Sequence, residues 1–194
     1  MKHFVTIILL TPLLGCSGNE QADQDIKTES LTIEQKNPEE VETTFEKYPT
    51  VVQMLNESYD FTEEQGSLKV LSKERKPLHI QVSRPILDGD PDDVIRDQTI
   101  RDIVYVTFQA FAKTDINEFT ITSVPMQSKN NYVDKYKVTL MVSRDKATAV
   151  LKKYLNTEDF QTLFKLEGTI WVPSENFDSL KFKNLNAVYA DLKV

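Results

Sequence analysis

Leu78-His79-Ile80-Gln81-Val82, then Asp88-Gly89-Asp90-Pro91-Asp92-Asp93, then the run from Ile100 to Phe111, is the stretch whose reading decides the fold. In the first segment Leu78, Ile80 and Val82 alternate with His79 and Gln81, the period of a half-buried strand, and Arg84-Pro85 ends it. The second segment is a helix start. Asp90 is placed to cap, Pro91 to take the first helical position, and Asp92 and Asp93 to face the positive helix end. Ile100, Ile103, Val104, Thr107, Phe108 and Phe111 then recur at helical spacing. A strand over Ile103–Phe108 is the rival, since these residues are β-branched and aromatic. The length of the stripe and its cap favour the helix.

Downstream, Phe119 to Val124 reads as a strand, and Tyr136, Val138, Leu140 and Val142 alternate as another. The polar Gln127–Asn131 between them predicts an antiparallel hairpin. Ser143 is a capping residue for a helix carrying Ala147, Val150, Leu151, Tyr154 and Leu155. A short helix is expected over Thr157–Lys165, with Phe160, Leu163 and Phe164 inward and Gly168 stopping it. Strands are expected at Thr169–Val172 and Ala187–Leu192, around an irregular Pro173–Asn186.

Upstream, Asn37-Pro38-Glu39-Glu40 opens a helix through Val41, Thr44, Phe45 and Tyr48, and Pro49 restarts the pattern as a second helix with Val51, Val52 and Leu55. Leu68–Leu71 reads as a strand ahead of a polar turn over Ser72–Pro77. The fold class is therefore α+β, an antiparallel sheet with helices on one face. From residue 78 to 192 the element order resembles the split βαβ arrangement of ferredoxin-like folds.

The N-terminus carries a different message. Lys2 precedes an apolar run from Phe4 to Leu14, which is long enough for a signal segment but short of the roughly 18 to 20 residues that span a bilayer. Leu13-Leu14-Gly15-Cys16 follows, and Cys16 is the single cysteine of the 194 residues. This resembles the lipobox of bacterial lipoproteins. The resemblance implies removal of residues 1–15, a diacylglyceryl group on the Cys16 thiol, and an acyl chain such as palmitate on the new amino terminus. Ser17 after the cysteine implies the periplasmic face of the outer membrane in a Gram-negative cell. Several chains anchor durably where one holds only marginally, at about 0.8 kcal/mol per buried methylene.

Residues 16–37 are polar and read as a flexible tether, with Leu31 and Ile33 as a competing edge-strand signal. Residues 38–194, about 155 of them, fit one domain with a substantial core. The chain holds 30 acidic and 23 basic residues, for a net charge of −7. That balance argues against nucleic acid as a partner. With Cys16 lipidated no thiol remains for a disulfide, a metal or a nucleophile.

Catalytic motifs are scarce. His79 is the only histidine left in the mature chain, there is no G-x-S-x-G elbow, and the glycines are scattered without a phosphate-binding run. No cofactor is expected. Asp88, Asp90 and Asp92 are the one set of carboxylates spaced for a hard cation, but an EF-hand would need glycine where Asp93 stands and glutamate where Thr99 stands. A charged turn before a helix accounts for them better, and no metal site is expected there. Tyr132, Tyr136, Trp171, Phe177, Phe182 and Tyr189 could line a groove or simply pack. Lys73, Arg75 and Lys76 form a basic turn. The resulting expectation is a lipid-anchored, noncatalytic domain that binds a protein or envelope component. A ligand carrier or enzyme, and an immunity or exclusion lipoprotein, are the alternatives.

Overall fold

A computed structural model describes residues 44–72 and 77–193, all within one compact unit. Cys16, the signal segment, the tether, the start of the helix expected at Asn37, and the basic turn at Lys73, Arg75 and Lys76 lie outside the described residues. Among the described residues no helix is long and apolar enough to cross a membrane.

The fold is α+β. After α1 (Val51–Glu57) come β1 (Leu68–Ser72), β2 (Leu78–Val82), the 22-residue α2 (Asp92–Lys113) and β3 (Glu118–Ser123). A small hairpin of β4 (Met126–Ser128) and β5 (Asn131–Tyr132) precedes β6 (Val138–Ser143) and α3 (Arg144–Leu155). The chain ends with the hairpin of β7 (Phe164–Glu167) and β8 (Ile170–Pro173), then α4 (Glu175–Asp178) and α5 (Leu185–Lys193).

The main sheet runs β1-β2-β3-β6. Its outer pairings are antiparallel, as expected for β3 and β6, where Ile121 faces Leu140. The central pair departs from the antiparallel expectation, because β2 and β3 are parallel neighbours, with Ile80 beside Ile121. A long crossover helix between them permits this. With no strand inserted between β2 and β3, the βαβ unit is not split, and the ferredoxin-like arrangement does not hold.

Period-two alternation gives the sheet two unlike faces. Leu78, Ile80, Val82, Phe119, Ile121, Leu140 and Val142 enter the core. The opposite face carries Gln81, Thr122 and Thr139 in one row, with His79, Thr120 and Met141 in the next. His79 Nε2 lies 2.9 Å from Thr122 Oγ1, which is 2.8 Å from Thr139 Oγ1. His79, the only histidine among the described residues, is thus part of a hydrogen-bonded polar face.

Helix α2 is the centre of the domain. Ile100, Ile103, Val104, Phe108 and Phe111 are buried as their spacing predicts, and so are Val106, Ala110 and Ala112 on its other sides. From Asp102 to Lys113 nearly every position is buried, so this half of the helix is covered nearly all round. The sheet lies against it on one side and the C-terminal helices on another. Its C-terminus is held by Arg144, which donates to the carbonyls of Phe111 at 2.8 Å, Thr114 at 2.7 Å and Ile116 at 2.9 Å. The Phe111 and Thr114 carbonyls are ones a helix end leaves without partners, and the Ile116 carbonyl belongs to the connection that follows. The same guanidinium lies over the rings of Phe111 and Phe160. Ser143 caps α3 by accepting from the Lys146 amide, as expected.

Several expectations are corrected. Residues 44–50 are not helical; Phe45 instead packs edge-on against Trp171, at a centroid distance of 5.0 Å. The segment expected as a helix over Thr157–Lys165 is a single 3-10 turn, Phe160–Leu163, passing directly into β7. Gly168 is the turn of the β7–β8 hairpin, at φ +63°, and not a helix stop. Tyr136 lies in a 3-10 turn before β6, with its ring buried.

The largest correction is at the C-terminus. Ala187–Leu192, expected as a strand, is helix α5, and Leu185, Val188 and Leu192 are its buried residues. Their spacing of three and four is helical, and the alanines between them favour a helix. The expected irregular segment before it holds α4 and a π-type turn over Ser179–Lys183, closed by the Asn184 amide donating to the Ser179 carbonyl at 3.0 Å.

Candidate functional site

A concavity of about 590 Å³ opens where β2 ends and the first half of α2 passes the C-terminal segment. Arg84 comes from the end of β2. Gln98, Arg101, Asp102 and Tyr105 come from consecutive turns of α2, Asp60 from the loop after α1, and Lys181 and Phe182 from the π-type turn. Helical spacing puts positions 98, 101, 102 and 105 on one face, and the parallel β2–β3 pair sets Arg84 at the strand end facing them.

The floor is an ion pair. Arg84 Nε donates to Asp102 Oδ1 at 2.7 Å, with the Arg84 guanidinium 4.6 Å from the Phe61 ring centre. Asp102 is 4% exposed while Arg84 reaches solvent. Burial raises the Asp102 carboxyl to about 6, and the Arg84 charge and hydrogen bond resist that rise. Desolvation therefore outweighs pairing for this carboxylate.

One wall is a hydrogen-bonded carboxylate cluster. Tyr105 Oη donates to Asp60 Oδ2 at 2.8 Å, and Gln109 Nε2 donates to the same oxygen at 3.2 Å. Burial, with Asp60 alongside, pushes the Tyr105 phenol far above its ordinary value. Tyr105 stacks on the buried Phe177 at 5.3 Å, so its position is fixed from both ends.

The other wall is cationic. The Arg101 guanidinium lies 4.9 Å from the Phe182 ring centre, and Lys181 Nζ lies 5.2 Å from the same ring. Lys181 pairs with Asp178 at 3.2 Å. Among the described residues Arg101 has no carboxylate within ion-pair distance, and its buried Nε finds no acceptor in the protein. Phe182 is 53% exposed, one of the few large apolar side chains left open. Of the aromatic residues singled out in the sequence it alone lines this concavity.

The other candidate residues lie elsewhere. Asp90 accepts the Leu87 amide at 2.8 Å and shapes its own turn, leaving Pro91 as the residue before α2. Asp92 accepts from Lys135 Nζ at 2.6 Å and Tyr136 Oη at 2.5 Å, and those bonds hold its carboxyl below the usual range. Asp88 is exposed. Among the described residues no three His, Cys, Asp or Glu side chains are placed to hold a metal ion, this aspartate set included. Tyr132 donates to the Gly66 carbonyl at 2.9 Å, and Phe177 and Tyr189 pack into or against the core.

No family model matches the chain, and no curated protein or solved structure matches it either.

Proposed function

We propose that this chain is a lipid-anchored, noncatalytic binding protein of the bacterial envelope, tethered through Cys16 and recognising an envelope component in the concavity beside Arg84, Arg101 and Phe182. The observation that carries the binding half is the way the charges are committed. Asp102 is held by Arg84, Asp60 by Tyr105 and Gln109, and Lys181 by Asp178, while among the described residues the Arg101 guanidinium has no carboxylate partner and Phe182 stays half exposed. Fixed side chains around an unspent donor and an open ring suit recognition. The anchor half rests on the lipobox resemblance at Leu13-Leu14-Gly15-Cys16.

One observation favours the enzyme alternative, since a carboxyl near 6 is suited to proton transfer. Asp102 lies under Arg84 with its Oδ1 already bonded and almost no exposed surface, so a bound molecule has no direct path to it. Paired burial explains its titration without chemistry.

Metabolic labelling with a palmitate analogue tests the anchor. The full chain should take label and sediment with membranes, and Cys16→Ser should do neither. Undiminished labelling of Cys16→Ser would remove the anchor from the account. Binding at the concavity is tested separately by crosslinking from position 182.

A further inference from the structure

We propose that the concavity binds the oxyanion of a small molecule, a phosphate or a carboxylate, through Arg101 and Lys181, with Phe182 as the surface on which the rest of that molecule lies. This rests on reading the concavity as a recognition site and adds the chemical class of its ligand.

Three observations converge. Arg101 and Lys181 both approach one ring, at 4.9 and 5.2 Å, in a chain whose net charge is −7. Each cation gains from the ring, but the two repel one another, and an oxyanion beside them offsets that repulsion. Lys181 has Asp178 at 3.2 Å, whereas Arg101 has no carboxylate at ion-pair distance among the described residues. Second, among the described residues Arg101 Nε is buried without an acceptor. A buried donor left that way is costly, and Arg101 lines the concavity, where an oxyanion can accept charge-assisted bonds from the open part of its guanidinium. Third, the acids nearby are bonded to other groups, Asp102 to Arg84, Asp60 to Tyr105 and Gln109, and Asp178 to Lys181, so none of them contacts Arg101 directly.

The planar guanidinium offers two parallel N–H donors, which match the spacing of two oxygens on a carboxylate or phosphate. A volume of about 590 Å³ exceeds that of a bare ion and falls in the range of small-molecule sites. Phe182, half exposed above the cations, supplies apolar area for the part of the ligand beyond its oxyanion.

The test is a titration of the full chain, in detergent, with inorganic phosphate, with acetate, and with tetramethylammonium as a probe of opposite charge. The readout is the arginine side-chain Nε–Hε resonances. The Arg101 signal should shift saturably with phosphate or acetate, and the stronger of the two names the group. Arg101→Gln should weaken binding about tenfold, the worth of one charge-assisted hydrogen bond, and Lys181→Gln should weaken it similarly. Lys152→Gln, in an exposed pair with Glu158, should leave it unchanged. All three variants should keep the circular dichroism of the parent. The proposal is overturned if neither anion shifts Arg101 saturably, if Arg101→Gln and Lys181→Gln bind as the parent does, or if only tetramethylammonium binds. Should crosslinking from position 182 persist while neither anion binds, recognition at the concavity stands and the oxyanion assignment alone falls.

Discussion

Replacing Arg84 by methionine should destabilise the domain by an amount that grows with pH. Methionine keeps an apolar stem against Phe61, so the main loss is the charge that faces Asp102 at 2.7 Å. In the parent, burial already raises the Asp102 carboxyl to about 6, from 3.8. The folded state therefore holds more protons than the unfolded state between those values, and stability falls as pH rises through that window. Above 6 the contribution of Asp102 is level. Without Arg84 the folded carboxyl rises further, and the falling limb extends to higher pH.

Each additional unit costs about 1.4 kcal/mol once the carboxyl is fully ionised. A further rise of about two units therefore amounts to about 2 kcal/mol at pH 8, where the raised carboxyl is half ionised, and approaches about 3 kcal/mol above it. Breaking a buried pair by removing one member falls in that range. At pH 5 Asp102 is mostly protonated in both proteins, and the electrostatic part of the difference should nearly vanish. Urea unfolding of parent and Arg84→Met at pH 5 and pH 8 measures both values. Arg84→Met with Asp102→Asn should lose the pH dependence, because no carboxyl remains to ionise. An equal penalty at both pH values in Arg84→Met would refute the claim that Asp102 is buried and held by Arg84.

Other expectations follow from single contacts. Arg144→Ala removes the donors on the Phe111, Thr114 and Ile116 carbonyls, and should cost about 3 kcal/mol in urea unfolding. Phe108→Ala, at a fully buried position of α2, should cost about 3 to 5 kcal/mol by the same measurement. Gly168→Ala meets no atom within 4 Å, but its φ of +63° disfavours a side chain, so its cost should be only about 1 kcal/mol. Addition of EDTA should leave the thermal transition unmoved, since Asp92 is taken by Lys135 and Tyr136 and Asp90 by the Leu87 amide.

The elements legible in the sequence are those with several mutually consistent signals. Helix α2 has a long apolar stripe behind an acidic first turn, α3 has Ser143 as cap, and β3 and β6 alternate on either side of a turn. The parallel relation of β2 and β3 is invisible to alternation, which reports faces and not strand direction. Val188 and Tyr189 favour extended structure locally and point to a strand over 187–192, whereas docking of Leu185, Val188 and Leu192 decides for helix α5. The 160–167 segment is short, and the hairpin pairing of Phe164 with Pro173 prevails over its weak helical pattern.

The concavity was hardly legible at all. Its charged residues come from four separated segments, and Arg84, Arg101 and Lys181 look in sequence like ordinary surface cations. Phe182 was recognisable as an aromatic in a stretch without clear pattern. Asp102 offered the one further signal, a carboxylate between Ile100 and Ile103 and three residues after the buried Thr99, on a turn whose neighbours enter the core. A charge in that position needs a partner. Which arginine supplies it depends on the crossover that returns α2 past the end of β2.

Recognition at the concavity is tested most directly by photo-crosslinking in intact envelopes, with a photoreactive phenylalanine in place of Phe182 in the full-length chain. The matching control carries the same group at Met141, on the polar face of the sheet. A discrete adduct from position 182 that disappears with Arg101→Gln is the expected result. No adduct from 182, or one that survives Arg101→Gln while position 141 captures a partner, would contradict the account and move the binding surface to the sheet.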